Sequence, residues 1–586
     1  MTYRMQWNEQ RQKVFLDRYA LKDSEGVLLE QRIEEMWERV SRAFARNPEE
    51  HLEFRHALED FRFVPSGRIL SGAEAGQQVT YYNCYVIGVR SEDPLKGNDS
   101  RHGIMDTMTK MVEITSRGGG VGINWSTLRP EGAYIQGVHG NSSGANSWMR
   151  GADGLADQIR QGGSRTAALM FLLEDWHPDI INFVESGQRF NRANFSVGVS
   201  DRFMRALRED TNWTLIFPEI HGVPEYNQIW DGDIEAWIQK GLPVREYGTI
   251  RARELWDKMA QSAYDTGSPG VVFLDRCNEL SNTRYREKIV CTNPCGEQPL
   301  PVGGCCNLGS MNLVAYYDGE GAFYGLNRPA LAQGIETAIR FLDRVIDVNV
   351  DIDEEVGRMQ RETRRIGLGT MGLADLLILN GIRYGSDDCL KVVDEIYTFI
   401  RDEAYKASIK LAVEFGPAPG YSHEFDEAPF IQSLPDALRH LITLHGIRNL
   451  SLLTQAPTGT TSILAGASSG IEPIFSRSYV RKDATGTHAM VHPLFASACG
   501  KHLVTALDIS VTEHIAVQGA IQKRLDTSIS KTINLRKDNN LTTVGLAMSM
   551  AYLYGCKGVT VYRNGSLDDV LCHDSGQDVQ CQACQI

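Results

Sequence analysis

Apolar and polar positions recur along this chain in two different periods. Leu29, Ile33, Met36, Val40 and Phe44 return every three or four residues between charges, the stripe of a helix lying on a core. Residues 10–60 read as helical on this pattern, with apolar residues at helical spacing from Leu28 to Phe44. Tyr81-Tyr-Asn83-Cys84-Tyr-Val-Ile87 alternates instead and is rich in β-formers, so a strand carrying Cys84 is expected there. Strands are also expected over Ala167–Leu173 and Leu450–Leu453. A helix opens at Asp99 or Ser100, both good N-caps, runs to about Thr115 and is followed by the glycine cluster of Arg117–Gly122. Residues 335–415 read as mainly helical, with Gly367–Asp375 a Gly-rich entry to an apolar helix and, lacking Gly-Lys-Ser/Thr, no phosphate-binding P-loop. Residues 200–260, rich in Trp and acid, give mixed helix and turn signals. The interleaving predicts a large mixed α/β protein.

Composition narrows this little. With 586 residues, 42% hydrophobic and 23% charged, the chain has room for several domains or one large barrel with additions. Its net charge of −14 argues against a general nucleic-acid or membrane-surface binder, so no nucleic-acid and no membrane partner is expected. Any phosphate must be held by local devices. No bilayer-length apolar run and no export signal is visible, and twelve cysteines then read as functional thiols of a reducing cytoplasm.

Four of those cysteines fall in Cys291-Thr-Asn293-Pro-Cys295-Gly-Glu297 and the following Cys305-Cys306. Pro and Gly turn the segment sharply. On an extended backbone, positions 293, 295 and 297 would share one face: an amide, a thiol and a carboxylate, plausible as a catalytic trio. A zinc site and inert buried thiols are the competing readings. Adjacent Cys305 and Cys306 chelate one ion poorly, and no metal is expected. Ala456-Pro457-Thr458-Gly459-Thr460-Thr461-Ser462, after a strand and before a short helix, offers hydroxyls and free N–H groups to an anion. The polar tail ends in Cys581-Gln-Ala-Cys584-Gln-Ile, either half a zinc site or a dithiol.

The spacing Asn293-x-Cys295-x-Glu297, with Cys306 eleven residues after Cys295 and then Leu308, Asn312 and Leu313, resembles the active-site loop of ribonucleotide reductases. Motifs in the family's order extend the resemblance from about residue 12 to about 566. The stretch Val14–Asp23 and the terminal Gly558-Val-Thr-Val-Tyr562-Arg563 are similar to the adenosylcobalamin-dependent class, since Tyr562 lacks the adjacent tyrosine of classes fed by a separate radical subunit. The resemblance implies a ten-stranded α/β barrel of two parallel five-stranded halves, with a finger loop threaded through its centre. It implies an N-terminal helical region (1–60), a catalytic barrel (61–565) containing an effector region (98–145) and a substrate-specificity loop (160–167), and a flexible tail (566–586). It implies conversion of ribonucleotides, diphosphates in the first instance, to 2′-deoxyribonucleotides by a thiyl radical on Cys295, with adenosylcobalamin as cofactor. Glu297 would take the 3′-hydroxyl proton and Asn293 orient the sugar. Cys84 and Cys306 would supply electrons, and Cys581 and Cys584 would clear the resulting disulfide. Cys305 would be structural. Substrate contacts would fall to Ser66, Asn83, Cys84, Gly119, Asn293, Glu297, Pro457, Thr458, Gly459, Thr460 and Thr461. Asp99, Ser100, Arg101 and Arg129 would bind a deoxynucleotide or ATP effector, with Gln161 and Arg165 on the loop placed to read base edges. A thioredoxin-like or dithiol reductant is implied, and both monomer and homodimer stay open. The alternatives are the large subunit of a reductase served by a separate metal-radical protein, and a non-catalytic nucleotide-binding regulator.

Overall fold

The computed structural model describes residues 7–566 apart from 77, 162–164, 187–189, 191, 321, 484–485, 492–493 and 496–499. Cys581, Cys584 and the tip of the 160–167 loop lie outside the described residues.

Ten strands join in one sheet: β1 (Phe63–Pro65), β2 (Cys84–Gly88), β3 (Gly120–Asn124), β4 (Leu169–Glu174), β5 (Ala193–Val199), β6 (Gly270–Phe273), β7 (Cys305–Asn312), β8 (Ile366–Met371), β9 (Thr532–Leu535) and β10 (Gly558–Arg563). β2 to β6 pair in parallel, in order. β7 pairs parallel with β8, and β9 parallel with β10. Between β8 and β9 the wall is completed by Leu450–Gln455, which bridges Leu453 to Leu368 and Gln455 to Ile529, both parallel. Its backbone bonds are regular: Leu368 N–H to Leu452 O (2.8 Å), Thr454 N–H to Leu368 O (3.1 Å) and Gln455 N–H to Ser528 O (3.1 Å). The two parallel halves meet antiparallel at β2–β7 and at β6–β10. The ring is therefore closed, with ten segments in two groups of five. β1 lies outside it, antiparallel on β7. Closure removes the exposed edges that a sheet of this length would otherwise carry. The fold implied by the family resemblance is the one observed.

Side chains alternate across this wall. Cys84, Val86, Met170, Leu172, Val272, Cys306 and Leu308 form an interior cluster. The outward faces join two larger cores, one beneath the helices of each half. The N-terminal helices α1 (Glu9–Arg18), α2 (Ile33–Phe44) and α3 (Pro48–Leu58) pack on the second half; α1 lies on the helix Gly459–Ala465, and α2 and α3 on Arg328–Val348.

Two expectations change. The helix of the Leu28–Phe44 stretch starts only at Ile33, because the Glu35 carboxylate accepts the N–H groups of Gln31 and Arg32 and fixes the start there; Leu29 is exposed. The Gly-rich stretch at 367 is not merely a helix entry. Ile366–Met371 is a fully buried barrel strand, and the helix begins only at Leu373. A Cβ on Gly369 would come within 2.5 Å of Thr454 O, so glycine is what lets this strand sit against its neighbour. No helix among the described residues is long and apolar enough to cross a membrane.

Candidate active site

The chain leaves β6, enters the barrel and returns to β7 through a finger whose stem is a two-residue antiparallel pair, Cys291–Thr292 with Pro299–Leu300. The tip, Asn293–Gln298, is a turn. Asn293 N–H donates to Gln298 O (3.1 Å), Gly296 N–H to Asn293 O (3.1 Å), and Gln298 N–H to the Asn293 Oδ1 (2.9 Å). Asn293, Cys295 and Glu297 therefore converge by folding back, not by alternating along a strand. Both walls grip the tip. On one side Asn194 Nδ2 donates to Pro294 O (3.1 Å). On the other, the Thr454 hydroxyl (2.8 Å) and Ser528 N–H (3.1 Å) both donate to Glu297 O. The stem passes so close to β3 that a Cβ on Gly122 would lie 1.8 Å from Thr292 O; any side chain there would expel the finger.

Cys84, the first residue of β2, stands directly opposite Cys306 in the antiparallel register with β7. Such partners have Cα atoms roughly 4.5–5.5 Å apart, inside the span a disulfide bridges. Both point into the barrel. Cys305 points outward, into the core with Tyr82 and Tyr85, because neighbours on a strand face opposite ways. The Asn293 amide donates to Cys84 Sγ (3.1 Å), and Cys84 Sγ lies 3.8 Å from Glu297 Oε1. In this form Asn293 thus ties the fingertip to Cys84, and its side chain is engaged at both ends within the protein.

Electrostatics follow from burial. Desolvation lifts the Glu297 carboxyl to about 7, against the pull of its bonds to Asn293 and Cys84. Cys84 is pushed well above the usual thiol range by burial, then by Glu297, Cys306 and Cys295. Cys306 is likewise raised, mainly by burial. Both remain protonated at neutral pH, a state suited to donating hydrogen and not to metal binding. Among the described residues no group of three or more His, Cys, Asp or Glu is placed to hold a metal ion. Cys295 alone of the three thiols is partly exposed.

Three buried oxygens near the thiols have no hydrogen-bond partner among the described residues: Glu297 Oε2, Asn83 Oδ1 and Ser66 Oγ. Asn83 N–H bonds to Cys306 O, and Ser66 N–H to Leu308 O, so both flank the pair. Ser66 precedes a helix yet its side chain makes no capping bond. Gly119 is buried against Tyr85 and Ile114 beside β3.

The wall segment 450–455 runs straight into the threonine loop, and Ala456 belongs to the interior cluster of Cys84 and Cys306. Pro457 leads to Thr458, left-handed at φ +54°, which opens the helix Gly459–Ala465. The first N–H groups of that helix, at 459–461, have no intrahelical acceptor. Thr458 Oγ1 accepts from Gly470 N–H (2.8 Å), Thr461 donates to Thr458 O (3.2 Å), and Thr460 Oγ1 meets the Tyr19 hydroxyl (2.7 Å).

Elsewhere, Ser100 caps the helix Arg101–Ser116. Asp99 is 6% exposed; its Oδ2 accepts from Arg129 Nε (2.7 Å) and from the Tyr226 hydroxyl (2.8 Å), while Oδ1 is buried without a partner among the described residues. Arg101 is exposed at the helix start. Sequence reasoning did not single out Tyr226, which lies in a stretch of mixed helix and turn signals. His177 and Asp179 are structural: Asp179 accepts from Glu131 and Ala145 N–H, and His177 Nδ1 from Asp179 N–H.

Comparison with known proteins agrees with this architecture. Residues 82–562 match the family described as ribonucleotide reductase, barrel domain, and residues 6–78 match ribonucleotide reductase, all-alpha domain. The chain is 34% identical over 551 residues to the vitamin B12-dependent ribonucleoside-diphosphate reductase of Thermoplasma acidophilum, covering 88% of this chain and 65% of that protein. It is 31% identical over 618 residues to the protein of the same name from Mycobacterium tuberculosis, covering 97% and 80%. It is 29% identical over 496 residues to the ribonucleoside-diphosphate reductase subunit alpha of Chlamydia trachomatis, covering 77% and 46%. A closed barrel of two five-stranded halves, a central finger bearing a thiol, and family matches spanning both regions leave one conclusion: the chain belongs to the ribonucleotide reductase family.

Proposed function

We propose that this chain reduces ribonucleotides, in the first instance diphosphates, to 2′-deoxyribonucleotides with adenosylcobalamin as its radical source. The observation that carries the reading is the placement of Cys84 opposite Cys306 with Glu297 3.8 Å from Cys84 Sγ, on the turn that also holds Cys295. Cys295, the partly exposed thiol of the three, is the one that such a cofactor would serve. When bound, that cofactor supplies one-electron chemistry.

The chain's own residues do the rest. Cys295 sulfur takes the hydrogen from ribose C3′, and Glu297 accepts the 3′-hydroxyl proton. The 2′-hydroxyl leaves as water. Cys84 and Cys306 give up two electrons and two protons as they become a disulfide, and Cys295 returns the C3′ hydrogen. Net, one dithiol and one ribonucleotide become one disulfide, one deoxynucleotide and one water. Asn293 orients the sugar, and its amide holds the fingertip to Cys84. Ser66, Asn83, Gly119 and the Pro457–Thr461 loop hold the substrate, the loop taking its phosphates. Cys581 and Cys584 exchange with the spent disulfide and pass electrons from a thioredoxin-like protein or a small dithiol. Asp99, Ser100, Arg101 and Arg129, with Tyr226 added, bind a deoxynucleotide or ATP effector, and the protein works in the cytoplasm.

The test is turnover by the purified chain with adenosylcobalamin and dithiothreitol alone. Turnover only after adding a metal-radical protein would favour the large-subunit alternative. Effector binding with no turnover under either condition would favour a regulator.

A further inference from the structure

The geometry points to helix α1 as a clamp on the phosphate end of the substrate, with Tyr19 and Arg11 as positioning residues. The inference rests on the reading of Pro457–Thr461 as the phosphate loop, and extends it to residues more than 400 positions away in sequence.

The helix after the loop, Gly459–Ala465, has seven residues, too few to hold an orientation by itself. Helix α1, through Arg11, and its C-cap residue Tyr19 fix both ends of this short helix. At the start, the Tyr19 hydroxyl meets Thr460 Oγ1 at 2.7 Å, with Tyr19 only 1% exposed. At the end, Arg11 Nε donates to Leu464 O (2.8 Å) and Nη2 to Ala465 O (3.1 Å). These are terminal carbonyls of the helix, which lack intrahelical donors, and a cation is favourable there. Burial lowers the Arg11 guanidinium to about 10, so it stays charged at neutral pH.

Thr458 and Thr461 have their hydroxyls engaged within residues 458–470. Thr460 is the loop threonine fixed from outside, by α1. Tyr19 therefore sets the rotamer of Thr460, and with Arg11 the direction in which the 459–461 N–H groups point. Interactions at the sugar and at the thiols do not pass through α1. Loss of the clamp should weaken the hold on phosphate and leave the chemical step intact.

Isothermal titration of the full chain with inorganic pyrophosphate, a nucleoside diphosphate and the matching nucleoside tests this. Losing one hydrogen bond predicts about three- to tenfold weaker binding of pyrophosphate and diphosphate by Tyr19→Phe, with nucleoside affinity unchanged. In turnover, KM for the diphosphate rises by a similar factor, with kcat within about twofold. Arg11→Gln behaves likewise and Arg11→Lys restores part of the loss; should Arg11→Gln not fold, Tyr19→Phe still decides. Unchanged pyrophosphate and diphosphate affinity in folded Tyr19→Phe overturns the clamp while leaving the phosphate loop standing. So does an equal loss for nucleoside and diphosphate. A wild-type chain that binds nucleoside but neither phosphate ligand overturns the loop assignment, and the clamp with it.

Discussion

At the scale of single residues, Glu297 and Cys295 carry the account. Glu297 is 2% exposed and titrates near 7 against an ordinary 4.5, so the ionised base becomes available as pH rises. The predicted kcat profile climbs through about pH 7, and Glu297→Gln abolishes turnover. Stability runs the other way. Between the unfolded value and 7 the folded state binds the proton more tightly, so this carboxyl's contribution is full below about 4.5 and is lost as pH rises through 7. The shift corresponds to on the order of 3 kcal/mol. Glu297→Gln, dead in turnover, should therefore melt above wild type at pH 8 and not at pH 4, as scanning calorimetry at both pH values would reveal. Equal melting temperatures at pH 8 would mean that the carboxylate is solvated. These residues were legible in the sequence because Asn293, Cys295 and Glu297 lie within five positions. What spacing hid was their geometry: a closed turn instead of a strand face, with the Asn293 amide bonded to Cys84.

At the scale of elements, register decides which thiols face each other. Cys306 faces Cys84 across the β2–β7 ladder while Cys305 faces the outer core. Turnover without reductant, followed by peptide mapping, should find Cys84 linked to Cys306, and Cys305→Ala should keep most of its activity. A Cys84–Cys305 crosslink would require a one-residue slip of the register. The finger's path makes a second prediction. Gly122→Ala places a methyl 1.8 Å from Thr292 O; it should cost about 1–3 kcal/mol in overpacking and abolish turnover by displacing the tip, whereas wild-type activity in this variant would place the finger elsewhere. Elements were unevenly readable. The Cys84 strand showed as alternation. β8 did not, since Gly367 and Gly369 leave its pattern without side chains and its two faces are both buried.

At the scale of the whole molecule, distant contacts build what local pattern cannot show. Tyr226 reaches Asp99 across 127 positions and Tyr19 reaches Thr460 across 441; neither has any local signature, and residues 200–260 looked uninformative for that reason. Tyr226→Phe should weaken effector binding by about two- to tenfold, the range of one ordinary hydrogen bond, without changing effector-free turnover; equilibrium dialysis with a deoxynucleotide measures it, and unchanged affinity would remove Tyr226 from the proposed effector site. The closed ten-segment barrel matters because it brings β2, β7, the finger and the threonine loop to one interior. The central claim is that Cys295 sulfur acts on the substrate beside a Cys84–Cys306 reductant. A single-turnover assay with adenosylcobalamin and no added thiol tests it most directly: wild type should yield deoxynucleotide together with the Cys84–Cys306 disulfide, and Cys295→Ser neither, whereas deoxynucleotide from Cys295→Ser at the wild-type level would contradict it.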